Sequence, residues 1–142
     1  MLEKQSEKKL DALVIEDDLF FSVRIETVLQ KMGYAVTVIS DHTKALETAA
    51  QKNPVLVIIN FGSDRLSPAD TVRQLKTLPD PPAIMGFVPH VWMPQVRPAA
   101  MAAGCDLLVA NSALVMRLPQ LVAKLLDTSK AGTSEEMEEG DE

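Results

Sequence analysis

Residues 12–34 read ALVIEDDLFFSVRIETVLQKMGY. A short apolar run over 11–15 stops at three consecutive acids, Glu16, Asp17 and Asp18, and a segment at helical spacing follows. The run is strand-length and does not alternate, as expected of a parallel strand covered on both faces. Across 19–32, Phe20, Val23, Leu29 and Met32 can share a broad apolar face, and Gly33 ends the segment as a C-cap would.

The same alternation continues along the chain. Apolar runs at 35–39, 55–59, 83–88 and 107–110 read as four more strands. Between them, 43–52 carries Ala45, Leu46 and Ala49 on one face, and Pro54 forces its exit. Ser67 followed by Pro68 opens a helix through Leu75, with Ser67 as N-cap. In 89–104, Pro94 and Pro98 interrupt the pattern, so a loop is expected through Trp92 and a helix from Pro94 or Pro98 to Ala103. A last helix over 118–126 tolerates Pro119 only in its first turn. Five strands alternating with about five helices predict an α/β fold, a doubly wound parallel sheet between helical layers. Its functional edge lies at the carboxyl ends of the strands.

Composition bounds the rest. The chain has 142 residues, enough for one domain. No apolar run approaches the roughly 20 residues of a membrane-spanning helix, so no membrane partner is expected. MLEKQSEKKL at the start lacks the apolar stretch of a secretory signal, and the single Cys105 has no partner for a disulfide, so the expected location is cytoplasmic. The net charge of −6 comes from AGTSEEMEEGDE at the end; residues 1–130 hold fourteen bases and fourteen acids. A neutral body without a basic cluster argues against a nucleic-acid partner. The expected division is a charged extension over 1–9, one domain over 10–127 and a disordered acidic tail over 128–142.

Three adjacent acids after a strand have two readings. They form a hard-cation site, or one of Asp17 and Asp18 caps the next helix while its neighbours face the cleft. Residues 12–34, together with PVLVIINFG (54–62), PAIMGFV (82–88) and AGCDLLVANS (103–112), resemble a response-regulator receiver domain of the CheY-like type. The resemblance covers 10–127 and implies a flavodoxin-like three-layer sandwich with strand order 2-1-3-4-5. Receivers take a phosphoryl group from a histidine kinase onto an aspartate ending the third strand. An acid pair holds Mg²⁺, a Ser or Thr on the fourth strand bonds the phosphate, and a lysine on the fifth pairs with it.

Only the acid pair carries over, as Glu16 and Asp17. The acceptor position holds Asn60, the hydroxyl position Phe87, the lysine position Asn111 and the aromatic switch position Leu108; Ser112 replaces the usual proline. A carboxamide cannot form the acyl phosphate. Phe87 is expected to put an apolar ring where a hydroxyl should reach, and Asn111 removes the cation that would neutralise the phosphoryl oxygens. The resemblance therefore implies a pseudo-receiver that requires no cofactor and whose Mg²⁺ site at Glu16 and Asp17 is weakened. A displaced acceptor, Asp64 or else Asp17 or Asp18, is the alternative.

No nucleotide loop, zinc spacing or nucleophile motif is present, and no enzyme activity is expected. His90 follows the fourth strand and is a loop histidine or a metal ligand; His42 reads as surface, and Cys105 as an unreactive small hydrophobe. Trp92, Met93, Val96, Met101, Leu108 and Leu114 are the candidate partner interface, on the side that receivers use for contacts. The expected function is that of a stand-alone atypical response regulator acting by protein–protein interaction without phosphorylation. Its partner would be a signalling protein, a histidine kinase or a second copy. The runner-up is a true relay receiver using a displaced acid.

Overall fold

The computed structural model describes residues 9–131, with side chains through 127. Residues 1–8 of the expected extension and 132–142 of the expected tail lie outside the described residues. The elements are β1 (Asp11–Ile15), α1 (Leu19–Lys31), β2 (Ala35–Ile39), α2 (Ala45–Lys52), β3 (Leu56–Asn60), α3 (Pro68–Leu75), β4 (Ala83–Val88), α4 (Met93–Ala103), β5 (Leu107–Ala110) and α5 (Asn111–Ala131). Short 3₁₀ turns at His42–Lys44, Asp64–Leu66 and His90–Trp92 lead into α2, the α3 approach and α4. No helix among the described residues is long and apolar enough to cross a membrane.

The five strands form one sheet in the order β2-β1-β3-β4-β5, and every pairing is parallel. This is the expected doubly wound, flavodoxin-like sandwich. Alternate strand residues feed two cores. Leu13, Ile15, Val57, Ile59, Ile84 and Val88 pack towards α2, α3 and α4, whereas Ala12, Val14, Leu56, Ile58, Met85 and Phe87 pack towards α1 and α5. β2 is an edge strand and half-buried throughout, while β4 is buried along its whole length.

Helix phase differs from expectation in α1. Its buried residues are Ser22, Ile25 and Leu29, while Phe20, Val23 and Met32 face solvent. Asp18 fixes the start of the helix by capping it, its side chain accepting from the Phe20 and Phe21 N–H groups at 2.9 and 3.2 Å. Ser22 can turn inwards because its hydroxyl donates to the Leu19 carbonyl at 3.0 Å. Ser67 precedes Pro68 as expected, but it sits at φ 43° and makes no side-chain cap. Its carbonyl instead accepts the Thr71 hydroxyl at 2.8 Å.

Both prolines of α4 fit inside a continuous helix. Pro94 lies in the first turn, where its missing N–H costs nothing, and Pro98 removes only the bond back to that turn. α5 starts directly at Asn111, earlier than expected, and runs to Ala131, so residues 128–131 of the expected disordered tail are helical. Non-helical dihedrals at Arg117 (φ −131°, ψ 28°) divide it, so that Pro119 falls in the first turn of a second segment.

Gly86 lets two layers meet. A Cβ added there would lie 2.5 and 2.7 Å from the Phe61 ring and 3.1 Å from Leu108 Cδ1. Phe61 is only 6% exposed, so its ring has nowhere to move. Gly86→Ala is expected to cost about 1–3 kcal/mol in urea denaturation, the range for overpacking. Adding Phe61→Leu should recover part of that loss.

Candidate functional site

The carboxyl ends of β1, β3, β4 and β5 bring the expected cleft together. Glu16 follows β1 directly, and its N–H donates to the Ile39 carbonyl of β2 at 3.1 Å. The residue is 2% exposed. One carboxylate oxygen, Oε2, accepts from the Asp18 N–H at 2.8 Å and from Asn60 Nδ2 at 3.2 Å. The other, Oε1, is buried with no partner. Burial pushes the Glu16 carboxyl above its usual range, and the neighbouring Asp17 charge adds to the rise; the bonds from Asp18 and Asn60 act in the opposite sense.

Asn60 ends β3, and its carboxamide bridges the cleft. Its nitrogen reaches Glu16, and its Oδ1 accepts the Gly62 N–H at 2.7 Å. Gly62 fits there because a Cβ would meet Pro89 Cδ at 2.9 Å. The turn then delivers Ser63 and Arg65 to the remaining acid. Ser63 Oγ donates to Asp17 Oδ2 at 3.0 Å, and Arg65 Nη2 pairs with the same oxygen at 3.1 Å.

The three acids therefore divide their work. Asp18 caps α1, Glu16 and Asp17 face the cleft, and each of those two is held by groups from the β3 end and its loop. Among the described residues, no group of three or more His, Cys, Asp or Glu side chains is placed to share a metal ion. His90 is exposed at the start of its 3₁₀ turn, and His42 is half-buried rather than fully at the surface. Asp64 is exposed at the head of the Asp64–Leu66 turn.

Two expectations for the cleft need correction. Phe87 pairs in register with Asn60, but its ring does not stand in the cleft: it is wholly buried, tilted against Phe21 with centroids 5.5 Å apart. The next residue, Val88, is equally buried against the opposite core. Neither position carries a hydroxyl. Three of the six expected interface residues are core residues: Met93 is 8% exposed, and Leu108 and Leu114 are each 1% exposed. Leu108 packs beside Gly86 and the Phe61 ring, Leu114 against the α1 side. Val96 is partly buried, and only Trp92 and Met101 stay exposed, joined by Val91.

At the lysine position, Asn111 opens α5 with its Oδ1 buried and unpartnered. Cys105 is buried, its thiol pushed up to about 12 by burial and directed at the Leu107 carbonyl at 3.2 Å. That leaves it an inert core thiol at neutral pH.

No protein-family model matches the sequence, and no curated protein matches it either. Solved structures do match. The chemotaxis response regulator CheY4 of Vibrio cholerae superposes with a TM-score of 0.73 at 15% identity, over 83% of this chain and 99% of that one. The fold is that of a receiver domain. A signal receiver domain of a histidine kinase from Syntrophus aciditrophicus aligns at TM-score 0.72 and 19% identity, covering 84% of this chain and 92% of its own. The receiver domain of a sensor histidine kinase from Pseudomonas aeruginosa, with a magnesium ion coordinated in its active-site cleft, aligns at 0.73 and 17%, over 84% and 99%.

Arg65, Ser63 and Phe61 are the cleft and switch-side residues that sequence reasoning passed over. Nothing in the residue types of the loop singles out Arg65, because its pairing with Asp17 depends on how the turn after Asn60 is folded.

Glu16 yields a pH prediction. Its carboxyl is raised in the fold relative to the unfolded chain, so folding favours the protonated form. Stability attributable to this group is fully present below the unfolded value and declines as pH rises through the raised one. Glu16→Gln, which cannot ionise, should flatten that decline and be more stable than the parent at neutral pH, as read by urea midpoints across mildly acidic to neutral pH. An unchanged pH profile would contradict the assignment.

Proposed function

We propose that this chain is an atypical response-regulator domain in two-component signalling, working by protein–protein contact and not by phosphotransfer. The observation that carries the reading is Asn60: a carboxamide stands at the end of β3, bonded on both sides to Glu16 and Gly62. It offers no carboxylate oxygen to attack a phosphodonor. The absence of a lysine at Asn111 and of a hydroxyl at Phe87 or Val88 supports the same conclusion, since both serve to stabilise a transferring phosphoryl group.

On this reading the domain is not an enzyme and acts within the cytoplasm. Its partner is a signalling protein, with a histidine kinase or a second copy as specific forms. Trp92 and Met101 are the exposed part of the anticipated interface, and the exposed Val91 beside them adds to the surface available for contact. Asp17, considered as a displaced acceptor, has one carboxylate oxygen, Oδ2, engaged by Arg65 and Ser63.

The test is intact mass after incubation with Mg²⁺ and acetyl phosphate, beside an authentic receiver. No phosphoryl gain is expected on the parent chain. A stoichiometric gain would overturn the reading and direct peptide mapping to an aspartate. Asn60→Asp alone should be phosphorylated more slowly than the authentic receiver by at least roughly 10²-fold, the scale for losing one stabilising donor, since both the lysine and the hydroxyl are missing. An ordinary rate in that variant would contradict the roles given to positions 87 and 111.

A further inference from the structure

The cleft that would hold a cation in a receiver is engaged by the chain's own donors. Asp17 Oδ2 faces both Ser63 Oγ and Arg65 Nη2. Glu16 Oε2 is taken by Asn60 Nδ2 and the Asp18 N–H, and Asn60 turns its side-chain oxygen to Gly62. Magnesium demands a near-octahedral oxygen shell at about 2.0–2.1 Å and is usually held through one or two carboxylates with waters. Glu16 Oε1 is left as a buried oxygen without a donor, but one oxygen of each acid is taken by the chain's own donors. A guanidinium stands beside Asp17, and no third acid joins the pair among the described residues, so the set fits that ion poorly.

We propose that Arg65 and Asn60 together replace the divalent cation, closing the receiver-like cleft from within so that its geometry does not depend on metal. Arg65 takes the negative charge of Asp17. Asn60 both removes a third negative charge and supplies a donor to Glu16. The β3 loop is thereby tied to the start of α1 by contacts that no phosphodonor or metal has to complete.

The effect does not rest on the strength of the ion pair. The Arg65 side chain is 81% exposed and that of Asp17 16%, so the pair adds little stability. Its influence on a dication is larger, because a unit charge about 5 Å from a dication alters affinity on the order of tenfold even at the dielectric of water. The added positive charge of Arg65 and the missing negative charge at Asn60 therefore disfavour a dication by on the order of a hundredfold together.

This inference deepens the proposed function and rests on it. The test counts free Mn²⁺ by electron paramagnetic resonance during titration of the full chain, comparing the parent with R65K, R65M, N60D and the N60D/R65M double variant, each checked for a cooperative melt. The parent and R65K should show no saturable site in the millimolar range. R65M, which alters an exposed side chain, should bind about tenfold tighter than the parent's limit, and the double variant on the order of a hundredfold tighter. Saturable binding by the parent within about tenfold of the double variant would overturn the proposal, as would folded variants that bind no tighter than the parent. Metal binding by the parent without phosphoryl gain would sink this inference alone, whereas phosphoryl gain would sink the functional reading beneath it.

Discussion

The Asn60 carboxamide holds the cleft together because it donates and accepts at once. A carboxylate in its place could only accept, and beside the buried Glu16 it would set two like charges at close range with no counter-ion. As an amide it donates to Glu16 at 3.2 Å and accepts from Gly62 at 2.7 Å. The bond to Gly62 sets the turn, the turn presents Ser63 and Arg65, and these neutralise Asp17. Among the described residues two orphan side-chain oxygens remain, Glu16 Oε1 and Asn111 Oδ1, both at strand ends on the cleft edge. A buried unsatisfied group costs about 1–3 kcal/mol, so polar strain in this domain gathers at the edge where receivers do their chemistry.

That arrangement changes what the fold can do. The sheet and its helices have the receiver fold, and on the proposed reading the positions that would make a receiver responsive carry other residues. Leu108 is packed against Phe61 and Gly86 in the core. Phe87 is held by Phe21 under α1. A domain whose cleft and switch positions are filled by its own side chains is suited to presenting one fixed surface, which is why contact with a partner is the function proposed for it.

The sheet was legible because buried parallel strands need near-continuous apolar runs, and four of the five strands lie where those runs do; β3 is displaced by one residue, to Leu56–Asn60. Helix faces were less legible. In α1 the inward residue Ser22 is polar, and its burial depends on a hydroxyl bond to Leu19 that apolar periodicity cannot reveal. The acid pair and Asn60 were readable from their places at strand ends. Arg65 was not, since its role depends on a loop conformation set by the Asn60–Gly62 bond. The orientation of Phe87 and the burial of Met93, Leu108 and Leu114 follow from strand and helix phase, which an apolar residue type does not specify.

The most direct test of a cleft held closed by its own side chains is a two-dimensional amide spectrum of the isotope-labelled full chain, recorded before and after adding Mg²⁺ with beryllofluoride as a phosphoryl mimic. The account predicts superimposable spectra, with the Gly62 backbone amide and the Asn60 side-chain amide unmoved. Saturable shifts at Asn60, Gly62 and Asn111 would contradict it, showing that the cleft still opens to a metal and a phosphoryl group.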